Sequence, residues 1–122
     1  MANKIYKVEI ITRREKFNAL KDALNAIGID GMTVYKVEGC GAQGGHLSYY
    51  RGVQRKVHLL PKIKVDLFIC ETPLEQVFEV IEKTLRTGEY GDGKVFVTEC
   101  VDALRVRTGE RGADAFVGPC EC

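Results

Sequence analysis

The chain has 122 residues, 45% hydrophobic and 29% charged, with a formal net charge of +1. That is the length of one domain and the balance of an ordinary soluble one. Near-neutral charge gives no bulk attraction to nucleic acid or membrane surfaces, and no apolar run approaches the roughly 20 residues of a membrane span.

Met1-Ala2-Asn3-Lys4 leads straight into a strand-like run with no signal-peptide core, which predicts a cytoplasmic chain. Between Lys4 and Thr12, Tyr6, Val8 and Ile10 alternate with Lys7, Glu9 and Ile11, the period of a strand. Phe17, Leu20, Leu24 and Ile27 then recur at helical spacing, and Gly28 stands where such a helix ends. Met32 to Val37 reads as a second strand.

Both periods break from Gly39 to Lys56, a glycine-rich stretch carrying Gln43, His46, Tyr49, Tyr50 and Arg51. A connection of this length between two strands is uncommon unless it is functional or disordered. Exposed Tyr and Arg are typical anchors of a binding surface, so the loop between Cys40 and Leu59 is the first candidate for function. Strand period returns from Val57 to Cys70, with Ile63, Val65, Leu67 and Ile69 on one face. Thr72-Pro73 predicts a helix start with Thr72 as cap and Pro73 at the first helical position. Leu74, Val77, Phe78, Ile81 and Leu85 form the apolar stripe of that helix. Lys94 to Thr98 reads as a fourth strand, Ala103 to Thr108 as a short fifth, and Gly109 to Cys122 as a mobile tail.

The order predicts an α+β fold: a ferredoxin-like βαββαβ sandwich with an extra C-terminal strand and a long loop between strands two and three. Helices on one face leave Ile5, Ile11 and Phe68 on the other, which predicts an oligomer that buries that face.

Three features carry candidate chemistry. Thr87 to Lys94 holds Gly88, Gly91 and Gly93 ahead of a lysine, a composition that suits backbone N–H groups approaching phosphates. Arg105 and Arg107 on a strand would share one face about 7 Å apart and attract anions. Lys62 and Asp66 add a cation and an acceptor on strand three. No catalytic constellation appears, since His46 and His58 lack Cys or carboxylate partners at ligand spacing, so no enzyme is expected. Of the five cysteines, Cys70 reads as a buried small hydrophobe, and Cys120-Glu121-Cys122 as the chemically available pair.

Together these motifs resemble the PII signal-transduction proteins from Ile5 to Glu110. The resemblance rests on Gly31-Met32-Thr33-Val34, Gly39 to His46, Tyr50-Arg51-Gly52, Leu60-Pro61-Lys62, Thr87-Gly88, Gly91 to Val97 and Arg105 to Glu110. It implies a domain over residues 1–112 with a Cys-containing tail over 113–122, and a homotrimer with ATP or ADP in inter-subunit clefts. It also implies a T-loop, about residues 40–58, that docks onto a target such as an ammonium channel. Gly91, Gly93, Lys94, Arg105 and Arg107 would hold phosphates, with Gly41 and Asp92 in the same set. Thr33 and Asp66 would sit near the adenine. Gln43 would coordinate Mg²⁺ beside ATP, and Gln43, Gly45 and Lys62 would take 2-oxoglutarate. Tyr50, Arg51 and Gly52 would dock the partner.

The chain departs from the family pattern in places. Ala42 and Gly44 stand where the family has an arginine and often a lysine, so two groups that serve the ATP-bound loop and the 2-oxoglutarate site are absent. Arg55 replaces the tyrosine that some members uridylylate. A second reading from another class, a metal- or redox-responsive trimer acting through Cys120 and Cys122, stays open here.

Overall fold

A computed structural model describes residues 4–40, 48–50, 53–55 and 59–117. The strands are β1 (Ile5–Thr12), β2 (Thr33–Gly39), β3 (Ser48–Tyr50), β4 (Val53–Arg55), β5 (Leu60–Ile69) and β6 (Lys94–Cys100). The helices are α1 (Phe17–Ala26) and α2 (Leu74–Leu85). The main sheet runs β2-β5-β1-β6, and every neighbouring pair in it is antiparallel. This is the predicted ferredoxin-like order.

Strand alternation separates two faces. One carries Val8 and Ile10 of β1 with Ile63, Val65, Leu67 and Ile69 of β5, all buried. Against it pack Leu20 and Leu24 of α1 and Val77, Ile81 and Leu85 of α2. Their three- to four-residue spacing puts them on one stripe of each helix, which is why both helices settle on the same side. Gly28 ends α1 with φ 87, a conformation glycine adopts without strain, and Ile29 N–H closes back onto the Leu24 carbonyl at 3.0 Å.

The opposite face carries ions. Lys64 Nζ meets Glu9 at 2.8 Å, and Lys7 and Lys64 approach Asp66 at 3.8 and 3.9 Å. Around this quartet the register sets apolar side chains: Phe68 is 44% exposed and Phe96 49%, Ile11 is half-buried, and Ile5 is already buried within the chain.

Four local expectations change. The stretch Ala103 to Thr108 is not a fifth strand: only Leu104 bridges to Arg111, because Arg105 N–H bonds Glu110 O at 2.9 Å and Gly109 N–H bonds Arg105 O at 2.7 Å. Gly109, at φ 76, lets the chain reverse there. Within the tail, Gly112–Phe116 forms a 3₁₀ helix. Helix α2 begins one residue later than predicted, since Pro73 has ψ 136 and serves as the cap, its carbonyl receiving Gln76 and Val77 N–H. The long loop is not without structure, for β3 and β4 pair as an antiparallel hairpin with Tyr49 opposite Gln54.

Candidate functional site

The glycine loop ahead of β6 is built around Asp92. Its carboxylate accepts Thr87 N–H at 2.6 Å, Gly88 N–H at 2.8 Å and the Thr87 hydroxyl. The Thr87 hydroxyl bond is the main cause that holds this carboxyl down at about 2. The carboxylate of Asp92, a residue expected in the nucleotide set, thus shapes the loop from within.

Neighbouring strands fasten the same loop. The Thr12 hydroxyl donates to Asp92 O at 2.8 Å, and Arg13 Nη2 donates to Tyr90 O at 2.8 Å. Lys62 Nζ donates to Gly91 O at 3.3 Å. Burial first, and the Arg13 charge second, push the Lys62 ammonium below its ordinary range. Gly91 and Gly93 have φ 101 and 116, and a Cβ on Gly93 would overlap the Ile11 carbonyl oxygen. Only glycine lets the loop lie this close to β1 and set Lys94 as the first residue of β6, opposite Ile11. Sequence reasoning missed Arg13 and Arg14. No spacing rule signals them, because their partners lie far along the chain.

Thr33 and Asp66 are direct register partners on β2 and β5. Asp66 is 6% exposed, and its Oδ1 has no hydrogen-bond partner among the described residues. An orphaned buried acceptor of this kind is uncommon in a folded protein.

At the other end of the sheet from the glycine loop lies a groove of about 970 Å³. Thr33, Phe68, Cys70, Cys100, Arg105 and Arg107 line it. The spacing predicted a shared strand face for the two arginines, but the reversal at Gly109 carries them through a turn instead. Arg105 folds inward with its side chain 11% exposed: Nη2 donates to Ala115 O at 2.8 Å and to Val117 O, and Nη1 meets Glu110 at 3.4 Å. Cys70 is half-buried on this groove rather than in the core.

Thus the predicted phosphate groups of one chain are split. Lys94 and Cys100 bound β6, six residues apart, so they stand about 20 Å apart along the strand. The glycine loop precedes Lys94, whereas the arginines follow Cys100 and line the groove beside it. Gly41, Gln43, Gly45, Arg51 and Gly52 lie outside the described residues, as do Cys120 and Cys122, and of Tyr50 only its place in β3 is described. Among the described residues no group of three His, Cys, Asp or Glu is gathered to hold a metal ion.

A family model, "Nitrogen regulatory protein P-II", matches residues 5–110. Nitrogen regulatory protein P-II 1 of Methanothermobacter thermautotrophicus is 48% identical over 110 residues, 90% of this chain and 96% of the relative. The nitrogen regulatory protein GlnK of Escherichia coli is 43% identical over 103 residues, 84% of this chain and 92% of the relative. Among solved structures, the Bacillus subtilis GlnK–ATP complex superposes with a TM-score of 0.78 at 35% identity, covering 94% of this chain and 98% of that one. Arabidopsis thaliana PII bound to citrate gives 0.75 at 38% identity, with coverages of 93% and 92%. With this match across nearly the whole domain, and the sheet order and glycine loop described above, the chain belongs to the nitrogen regulatory protein P-II family.

Proposed function

We propose that the chain is a regulator that binds ATP or ADP in clefts between the subunits of a homotrimer and passes its ligand state to a target through the loop over residues 40–58. The observation that carries this reading is Asp66. Asp66 pairs in register with Thr33, its buried Oδ1 has no hydrogen-bond partner among the described residues, and its Oδ2 faces Lys7 and Lys64. A carboxylate acceptor suits a base that carries an exocyclic amine, as adenine does. The glycine loop supplies the other half: Gly91 and Gly93 at positive φ hold it against β1, with Lys94 at its end. The relative from Bacillus subtilis was solved as an ATP complex.

The separation of about 20 Å along β6 between Lys94 and the end that carries Arg105 and Arg107 supports a composite site. A triphosphate is too short to touch both within one chain, so one subunit offers its glycine loop and Gly41, and its neighbour offers Thr33, Asp66 and the arginines. Mg²⁺ would be held through Gln43 beside ATP, and 2-oxoglutarate through Gln43, Gly45 and Lys62. The open sheet face, with exposed Phe68 and Phe96 around its ion quartet, gives the subunits a surface to share. Tyr50, Arg51 and Gly52 would dock a cytoplasmic face of a membrane transporter, an ammonium channel by resemblance. The role is regulatory rather than catalytic.

Isothermal titration with ATP and with ADP tests the reading, and absence of binding for both at millimolar nucleotide overturns it. Light scattering at micromolar concentration tests the trimer, and a monomeric mass rejects it. A pull-down with and without ADP identifies the target.

A further inference from the structure

The Arg105 guanidinium is already engaged by the chain's own C-terminal segment. Nη2 donates to the carbonyls of Ala115 and Val117, and Nη1 to the Glu110 carboxylate. Two carbonyl oxygens and a carboxylate oxygen thus stand where phosphate oxygens would be received, and the side chain is left 11% exposed. The root of this segment is separately fastened. Asp102 accepts Ala103 N–H at 2.8 Å and the Arg111 guanidinium, and Gly112 N–H bonds Ala103 O at 3.0 Å. Gly112, at φ 61, then turns the chain from this anchored hairpin into the 3₁₀ helix that crosses the groove. Ala115 and Phe116 of that helix line the same groove as Thr33 and Arg107.

From these contacts we infer that residues 113–117 are an intrachain latch, which competes with the phosphates of the nucleotide for Arg105 and must release it for tight binding. The inference rests on the nucleotide reading above and adds to it a regulation of the same site. The chemistry is an exchange of acceptors. A phosphate oxygen carries more charge than a backbone carbonyl, so it makes the stronger bond to a guanidinium. The latch has the advantage of being tethered, which gives it a high effective concentration at the arginine. Each opposes the other, and by linkage the nucleotide that displaces the latch also frees the C-terminal segment. The anchored root makes Gly112 the hinge, so release moves the residues after it and leaves the Asp102–Arg111 hairpin in place.

The test compares the full chain with a chain ending at Gly112, which keeps the hairpin and its anchor. ADP titrations of the two should differ about five- to tenfold, with the shortened chain the tighter binder. In the full chain, hydrogen exchange at the Val117 amide, which bonds Asp114 O at 3.3 Å, should speed up when ADP is added. Phe116→Ser, which leaves the carbonyls in place and removes the apolar contact with the groove, should shift affinity in the same direction. Equal or weaker ADP binding by the shortened chain, or slower exchange at Val117 with ADP, overturns the latch alone. If neither chain binds ADP, the nucleotide reading fails and the latch with it.

Discussion

Replacing Gly93 with alanine separates two energies that the glycine loop combines. At φ 116 an alanine is strained whatever surrounds it, at a cost of about 1–3 kcal/mol. Its Cβ would also overlap the Ile11 carbonyl oxygen and stand 3.1 Å from both the carbonyl carbon and Thr12 Cα. These are backbone atoms of the central strand and cannot swing aside, so the loop must lift off β1, adding about 1–3 kcal/mol of overpacking. Gly88 is the internal control: its φ is 87, but a Cβ there meets nothing within 4 Å. Gly88→Ala should therefore lose only the conformational part, about 1 kcal/mol, and Gly93→Ala about 3–4 kcal/mol. In urea unfolding at fixed protein concentration, with a slope of about 1.5 kcal/mol/M, the Gly93→Ala midpoint should fall by about 2–2.7 M. Equal losses for the two variants, within about 0.5 kcal/mol, would refute the steric argument and leave only the backbone conformation.

Other consequences follow from the same contacts. The Asp92 carboxyl, held at about 2 against an ordinary 3.8, contributes stability above pH 3.8 that is lost as pH falls through 2. Unfolding midpoints across that window should flatten in Asp92→Asn, and an unchanged slope would exclude Asp92 as the loop's brace. Asp66→Ala should weaken ATP and ADP by about 1–3 kcal/mol in titration. The fold should persist, because Glu9 still meets Lys64 at 2.8 Å. Lys94→Ala should cost both nucleotides on the order of 1–3 kcal/mol, and unchanged affinity places Lys94 outside the site.

The sheet and helices were legible because their periods are long. β1 and β5 alternate over 8 and 10 residues, and α2 repeats its apolar stripe over 12. The hairpin inside the loop escaped because β3 and β4 have three residues each, too few to show a period. Arg105-Val106-Arg107 shows the opposite failure: the alternation is present, yet the Gly109 reversal and the bond from Gly109 N–H to Arg105 O override it. Asp92 was legible as part of a functional loop but not as its internal brace, since composition cannot distinguish an acceptor facing a ligand from one facing Thr87. Thr33 was legible only through resemblance, and Asp66 as an acceptor on its strand but not as the neighbour of Thr33. Their adjacency comes from strand register, which a stretch of sequence read alone does not state.

The position of Lys62 bears on how a ligand could reach the long loop at all. The chain leaves the sheet at Gly39 and returns at Leu60, and these two residues are register partners. The neck is clipped shut by Arg14, whose Nε donates to Lys62 O at 3.1 Å and Nη2 to Val37 O at 3.2 Å. A strand ladder and two charge-assisted bonds thus hold the neck together. Lys62, however, reaches from that neck to the Gly91 carbonyl in the glycine loop. Its ammonium is partly desolvated and close to Arg13, while the Glu15 and Asp92 carboxylates act in the opposite sense. On the proposed reading, a phosphate or carboxylate at the glycine loop acts on a side chain rooted in the neck itself.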